Sequence, residues 1–261
     1  IFALVFFGAS NCPAQDANRT IARASIDYPT TKKLNVQDNY HGRKVGDPYR
    51  WLEDTESKET AAWVAAQNEV TDKYFQSIGE RTEIRNRLET LWNYERYDLP
   101  NRKGSTYFYT HNDGLQNQSI LYRADSLDAA RITLLDPNQL SDDGTIALAG
   151  TVPSDDGKLL AYGLADGGSD WRTWKVRDVS SGKDLDDLVQ WVKFSGIAWK
   201  PDNSGFFYGR YDAPQGGEEL TGTNENQHLY FHRLGDDQSD DALILKRPDQ
   251  PKWGFSPEVT D

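Results

Sequence analysis

Four histidines and several paired aspartates are the residues whose types and spacing could support catalysis or metal binding in this chain. The nucleophilic serine of many hydrolases lies in a Gly-x-Ser-x-Gly turn between a strand and a helix, and this sequence lacks that pattern. The histidines are His41, His111, His228 and His232, and none is accompanied by a serine in such a turn. A Ser–His–Asp triad cannot be assembled from these parts, so we expect no catalytic residue here.

Metal and cofactor sites are also not indicated. His228 and His232 are four residues apart, a spacing that could bind zinc on a helix, but the residues between them are typical of a strand. The Asp-Asp-Gly triplets at residues 142–144 and 155–157 could suggest calcium. Hairpin turns need Asp and Gly for backbone reasons, however, and neither triplet completes an EF-hand loop. We therefore expect no metal and no cofactor.

The sequence pattern predicts two helices followed by strands. Apolar residues recur at helical spacing over residues 57–78 and again over 81–93, with Gly79 as a stop signal between the two helices. After Pro100 the period changes to two. The first short strands are predicted at residues 106–110, 120–124 and 132–135, separated by turn residues.

A glycine-and-strand cassette then repeats along the chain. Gly104, Gly157 and Gly205 each lead into an aromatic or apolar strand, and a second strand follows each cassette. Short strands in repeats of about 40–50 residues are typical of propeller blades. We therefore predict a mainly β chain: a partial β-propeller preceded by an N-terminal two-helix segment.

Six strings carry a resemblance to a known family. They are Asp-Pro-Tyr-Arg-Trp-Leu-Glu-Asp at residues 47–54, Gly-Leu-Gln-Asn-Gln at 114–118, Leu-Ser-Asp-Asp-Gly-Thr at 140–145, Ala-Tyr-Gly-Leu at 161–164, Gly-Ser-Asp-Trp at 168–171 and Val-Lys-Phe-Ser-Gly-Ile-Ala-Trp at 192–199. In this order and spacing they resemble the N-terminal part of a prolyl oligopeptidase, from about Tyr28 to Asp261.

The resemblance implies an architecture. Prolyl oligopeptidases are serine peptidases whose C-terminal α/β-hydrolase domain carries the catalytic residues and is capped by a propeller. It implies that residues 34–98 belong with that missing domain, onto which the two helices would pack. Residues 99–261 would form about three blades of a seven-bladed propeller. Because the sequence has no Met and ends without a closing turn or helix, we expect an incomplete gene product.

Two candidate substrate-binding residues follow from the resemblance. Phe194 matches the family's aromatic residue that helps line the pocket for the substrate residue two before the proline. Asp170 matches an acid that the family places near a substrate-binding arginine of the other domain. After Pro-Lys-Trp the family has an apolar residue, where this sequence has Gly254 followed by Phe255.

The implied function is that of a serine endopeptidase that cleaves short proline-containing peptides after proline. The propeller would exclude folded proteins, and this chain alone would be inactive. One alternative is a non-catalytic propeller that binds peptides or glycans, although it gives no reason for the string at residues 47–54. Another is a sister oligopeptidase with a different specificity.

Charge and the N-terminal residues bear on partners and location. The formal net charge of −12 argues against nucleic acid and against an anionic membrane surface as partners. Residues 1–7 are apolar and small residues follow, as at the end of a secretory signal peptide, with cleavage before Gln15. We expect a truncated signal peptide at residues 1–14, a linker at 15–33, and a periplasmic or secreted protein, with a cytoplasmic one as the alternative. Cys12 is the only cysteine, so an intramolecular disulfide cannot form.

Overall fold

The computed structural model describes residues 26–216, 219 and 222–260. The chain splits into two compact units between Asn86 and Arg87. The predicted signal peptide and residues 15–25 of the predicted linker lie outside the described residues. Of the helices in the described part of the chain, none is both long and apolar enough to span a membrane.

Among the described residues of the first unit, the first regular element is a hairpin that the sequence periodicity did not reveal. It consists of β1 (Gln37–Tyr40) and β2 (Arg43–Gly46), paired antiparallel. A short 3-10 turn, Arg50–Glu53, follows in the string at residues 47–54. The Arg50 guanidinium forms an ion pair with Asp38 of β1 and a second one with Asp47, whose Oδ2 lies 2.5 Å from Nε. Arg50 thereby fastens this string to the hairpin.

Two helices follow, close to their predicted bounds. They are α1 (Lys58–Gln76) and α2 (Arg81–Trp92), where residues 57–78 and 81–93 were predicted. Ser57 is the N-cap of α1, and its Oγ accepts a hydrogen bond from the Thr60 amide at 3.1 Å. This bond satisfies one of the amide groups that the first helical turn leaves without a partner.

Among the described residues, the second unit forms three antiparallel sheets. The first contains β3 (Arg96–Tyr97), β4 (Asn101–Lys103), β5 (Thr106–Asn112), β6 (Ile120–Ala124) and β7 (Ile132–Leu135). The second contains β8 (Ala147–Pro153), β9 (Leu159–Ala165), β10 (Arg172–Asp178) and β11 (Asp184–Val192). The third contains β12 (Ile197–Trp199), β13 (Gly205–Arg210), β14 (His228–Arg233) and β15 (Ala242–Leu245).

Each sheet has the form of a propeller blade. β3 and β4 both pair with β5, so the first sheet, like the others, is four strands wide, and strands that follow one another in the chain are neighbours. The predicted mainly β chain, with two helices before about three blades, is confirmed. The predicted domain boundary at residue 99 stays a prediction, and β3, which precedes it, pairs within the first sheet.

The periodicity did not reveal four strands of the second and third sheets, namely β8, β11, β12 and β15. β12 has only three residues, too few to reveal a period, and β15 is exposed at all four positions, so it shows no alternation of buried and exposed residues. β11 begins with three acids among its first four residues, which obscures its apolar positions. A hydrophobic pattern of period two needs one buried face and enough residues to be visible.

The second sheet is buried on both faces. Successive side chains of a strand point to opposite sides, and β9 shows this clearly. Leu160 and Tyr162 share a buried cluster with Phe108 and Leu121 of the first sheet. Ala161, between them, belongs to a second cluster with residues of the third sheet, namely Ile197, Trp199, Phe206 and Tyr208. The sheets therefore stabilise one another mainly by apolar packing.

The glycines of the first two cassettes lie where two neighbouring turns approach closely. A Cβ atom on Gly104 would lie 2.3 Å from the carbonyl oxygen of Asp156, and one on Gly157 would lie 2.3 Å from that of Lys103. Both glycines also have positive φ, +56° and +71°. The absence of a side chain at the repeated glycine therefore permits both the turn itself and the close contact between adjacent blades.

A buried ionic cluster also joins the second and third sheets. His232 is fully buried on β14, with Nδ1 2.7 Å from Asp241 Oδ1 and Nε2 3.1 Å from Asp187 Oδ1. Asp187 lies on β11 and also accepts a hydrogen bond from the Gly235 amide at 2.7 Å. The Tyr208 hydroxyl donates to Asp241. Burial by itself would lower the pKa of His232, but the two carboxylates outweigh it and raise the pKa to about 9.

Candidate functional site

The candidate residues lie in loops at one end of the second and third sheets. Because the strands alternate in direction, the connections after β9, β11 and β13 emerge at the same end. Asp170 lies in the loop between β9 and β10, and Phe194 in the connection between β11 and β12. We call this end, with residues 166–171, 193–196 and 211–216, the loop end.

Phe194 is presented to solvent by a constrained backbone. Its side chain is 60% exposed, and its φ is +56°, a left-handed conformation that is uncommon for a residue with a side chain. Two hydrogen bonds hold the backbone just before it. The Tyr211 amide donates to the Trp191 carbonyl at 3.0 Å, and the Gln227 side chain donates to the Lys193 carbonyl at 2.7 Å. Backbone strain of this kind persists where the surroundings fix it, and it is common at binding sites.

Lys193 brings the two candidate residues together. Its ammonium nitrogen lies 5.4 Å from the ring centroid of Phe194 and 4.0 Å from Asp170 Oδ2. It also lies 4.8 Å from the ring centroid of Trp171. The Lys193 side chain is only 12% exposed, whereas that of Asp170 is 64% exposed. Phe194 and Asp170 are therefore parts of one cluster, and their role in binding substrate stays a prediction.

Aromatic residues that were not among the predicted substrate-binding residues support this cluster. Trp171 makes edge-to-face contacts with Trp191 and Tyr211, at centroid distances of 5.8 and 5.9 Å. The Trp171 indole also donates a hydrogen bond to the Glu219 carbonyl at 2.6 Å. Trp171, Tyr211 and Pro214 contribute to the lining of a cleft of about 200 Å³ beside the cluster. The signal that could have identified Trp191 is its position just before the string at residues 192–199.

The Gly-Leu-Gln-Asn-Gln string has a structural role in this fold. The Gln118 amide nitrogen Nε2 donates to the Ile146 carbonyl at 2.7 Å, and its Oε1 accepts from the Leu148 amide at 3.1 Å. The Gln118 backbone and Asn138 are joined by two further hydrogen bonds, each of 2.9 Å. Gln118 therefore fastens the end of the first sheet to the start of the second.

The serines of the loop end are engaged with backbone groups. Ser169 Oγ accepts from the Trp171 amide at 3.1 Å, and Ser195 Oγ accepts from the Gly209 amide at 2.9 Å. In the described residues, no hydrogen bond joins a serine to a histidine. In the same residues, no group of three or more His, Cys, Asp or Glu side chains is arranged to hold a metal ion. In the part of the chain that the structure describes, the loop end presents an exposed aromatic ring and an exposed carboxylate but no serine paired with a histidine.

Comparison with protein families gives one match over most of the chain. The model described as prolyl oligopeptidase, N-terminal beta-propeller domain, matches residues 28–261. Two curated relatives are similar over 99% of this chain: the prolyl endopeptidases of Elizabethkingia miricola, 42% identical, and Elizabethkingia meningoseptica, 40% identical. The chain covers 36% of each, so it spans about a third of the length of these relatives.

Solved structures show the same relationship. Prolyl oligopeptidase B from Galerina marginata, bound to a 35mer hydrolysis and macrocyclization substrate, is 29% identical with a TM-score of 0.74, over 89% of this chain and 35% of the other. A structure from an analysis of two prolyl endopeptidases is 41% identical with a TM-score of 0.58, over 88% of this chain and 32% of the other. Both similarities cover about a third of the larger protein.

Proposed function

The chain belongs to the prolyl oligopeptidase family and carries part of that family's N-terminal β-propeller domain. From this premise we propose that it is the N-terminal portion of a serine endopeptidase. That enzyme would hydrolyse short peptides on the carboxyl side of proline. The observation that carries the proposal is 42% identity to a prolyl endopeptidase over 99% of the chain. The three blades and their loop end provide a scaffold of the expected kind.

In this function the chain would bind and select substrates while another domain of the same protein supplies the chemistry. An α/β-hydrolase domain would provide the serine, aspartate and histidine, with an oxyanion hole for the tetrahedral intermediate. The loop end would provide Phe194 as an apolar wall and Asp170 as a charged group. The helices α1 and α2 carry partly exposed apolar residues, among them Tyr74, Phe75 and Leu88, which suit packing against such a domain.

The proposal is tested with the complete gene product, meaning the protein encoded by the gene that contains this chain. We expect it to cleave an N-blocked Gly-Pro anilide at least about 10-fold faster, by kcat/KM, than the Gly-Ala analogue. A fluorophosphonate that modifies reactive serines should abolish the cleavage. The 261-residue chain by itself should show no turnover, because it lacks the Gly-x-Ser-x-Gly turn.

Two results would contradict this proposal. Turnover by the 261-residue chain alone would show that its own residues perform the chemistry. A complete gene product that binds proline peptides without cleaving them would favour the non-catalytic binding module instead. Among peptidases, the identities favour hydrolysis, since the relative named as a dual function macrocyclase-peptidase is 30% identical, against 42% for the prolyl endopeptidase.

Replacing Phe194 by alanine should weaken substrate binding with little effect on folding. We expect KM for an N-blocked Ala-Gly-Pro anilide to rise about 5- to 10-fold, which corresponds to loss of part of a buried aromatic contact. A blocked Pro anilide, which does not reach this subsite, should be unaffected. Phe194→Leu serves as the control and should retain much of the affinity. Equal losses on both substrates would argue against a subsite at Phe194.

We further propose that the protein is exported, to the periplasm or out of the cell. The support is the apolar run at residues 1–7 and the small residues before Gln15. Cell fractionation followed by N-terminal sequencing checks this, with Gln15 expected as the first residue of the exported form. Recovery of the uncleaved protein in the cytoplasm would contradict it.

A further inference from the structure

We propose that Lys193 is a positioning residue that balances the charge of the peptide-binding subsite at Phe194 and thereby sets its selectivity for charged side chains. The inference rests on the proposed function, because it concerns the substrate residue two before the proline. It assigns a role to a residue adjacent in sequence to Phe194 whose side chain is largely covered.

The position of Lys193 is fixed at both its backbone and its ammonium group. Its carbonyl accepts a hydrogen bond from Gln227, which is itself buried and whose side-chain oxygen accepts from the Phe255 amide. The ammonium lies over the rings of both Trp171 and Phe194, at 4.8 and 5.4 Å from their centroids. A cation that contacts two rings is attracted by both and restricts where they can move. Lys193 therefore helps to orient the Phe194 ring.

The same ammonium offsets the charge of Asp170. The Asp170 carboxylate is mostly exposed, and the ammonium 4.0 Å away is mostly covered. The two charges are opposite in sign and 4.0 Å apart, so their fields oppose each other at a substrate side chain beside Phe194. Loss of either charge would remove its contribution to the field at the substrate, while the arginine that the resemblance places near Asp170 would contribute equally in every variant.

This arrangement predicts opposite effects for two substitutions. Lys193→Gln removes the cation and leaves Asp170 unbalanced, so substrates with lysine two residues before the proline should be favoured over those with glutamate. Asp170→Asn leaves the cation unbalanced and should have the reverse effect. Each change should alter the ratio of kcat/KM for the lysine and glutamate substrates about 3- to 10-fold, as expected for one charge at partly exposed range.

The experiment measures N-blocked Xaa-Gly-Pro anilides, with Xaa as Lys, Ala or Glu, on the complete gene product. Lys193→Arg, which keeps the charge and the contacts with the rings, is the matched control and should leave the ratio nearly unchanged. The double substitution Lys193→Gln with Asp170→Asn should return the ratio towards that of the wild type. The shifts should shrink in 0.5 M salt, because exposed charges are screened over about 4 Å there.

The outcomes separate this inference from the proposed function. If the wild type cleaves the series and Lys193→Gln leaves the lysine-to-glutamate ratio unchanged, the inference is wrong and the proposed function stands. If the wild type cleaves none of the series, the proposed function fails and the inference fails with it. If Lys193→Gln does not fold, Asp170→Asn is the variant to measure, because Asp170 is mostly exposed. An unchanged lysine-to-glutamate ratio of kcat/KM in Asp170→Asn then overturns the inference.

Discussion

Replacing His232 by alanine is expected to lower the free energy of unfolding of the 261-residue chain by about 3–5 kcal/mol. The substitution would leave Asp187 and Asp241, which are 3% and 0% exposed, without the cation between them. Removing one partner of a buried ion pair is strongly destabilising because the remaining charge has lost both its partner and water. Urea denaturation measured at pH 6 checks the result.

His228→Ala is the control for this substitution. His228 is the first residue of the same strand, but it is only partly buried and does not bridge two sheets. Its replacement should change the free energy of unfolding by less than about 1 kcal/mol. Equal effects of the two substitutions would show that the bridge between the sheets contributes little.

The same bridge gives the stability a defined dependence on pH. The pKa of His232 is raised from 6.5 to about 9 in the folded chain, so its contribution is complete below pH 6.5 and is lost as the pH rises through 9. That shift corresponds to about 3 kcal/mol. Asp187 has a lowered pKa despite its burial, so its contribution is present above pH 3.8 and is lost in acid. We expect a fall in stability between pH 6.5 and 9.5 that His232→Ala lacks.

Gly157→Ala is expected to destabilise the chain by about 3 kcal/mol or more. The new Cβ would lie 2.3 Å from the Lys103 carbonyl oxygen, far inside a normal contact, and the φ of +71° is unfavourable for alanine by about 1–2 kcal/mol. Because the obstructing atom belongs to the backbone of the neighbouring blade, relief requires that the two turns separate. Thermal or urea unfolding of the variant checks this.

Gly182→Ala is the control that separates the effect of the close contact from the effect of the backbone conformation. Gly182 has a similar φ of +68°, but a Cβ there would meet no atom within 4 Å. Its replacement should therefore lower the free energy of unfolding by only about 1–2 kcal/mol. The difference between the two variants measures the contact between blades. If both variants lose the same amount, the close approach at Gly157 is unimportant for stability.

The local elements of this protein were largely predictable. The helices α1 and α2 follow from a 3.6-residue apolar period, and Ser57 caps the start of α1. Strands such as β6 and β7 follow from apolar residues between turn signals. The cassette repeat predicted blades because each blade repeats the same succession of turn and strands. β15 was not predicted because all its residues are exposed. With no buried face, the strand needs no alternation of apolar and polar residues.

The family resemblance and the two candidate residues were also available from the sequence, but their surroundings were not. Asp170 and Lys193 are 23 residues apart (193 − 170), and only the pairing of β10 with β11 places their loops at the same end. The sequence around His232 likewise does not indicate its partners Asp187 and Asp241, which lie 45 and 9 residues away along the chain.

Hydrophobic period, capping and turn residues are local properties, so the order of residues by itself determined the helices, many of the strands and the repeat of blades. Three features depend on atoms that come close only when the strands and sheets pack together. They are the opposing charges of Lys193 and Asp170, the ion pairs of His232, and the close contact of the turns at Gly104 and Gly157. Distance and burial set the strength of these interactions, and both are fixed by the tertiary structure.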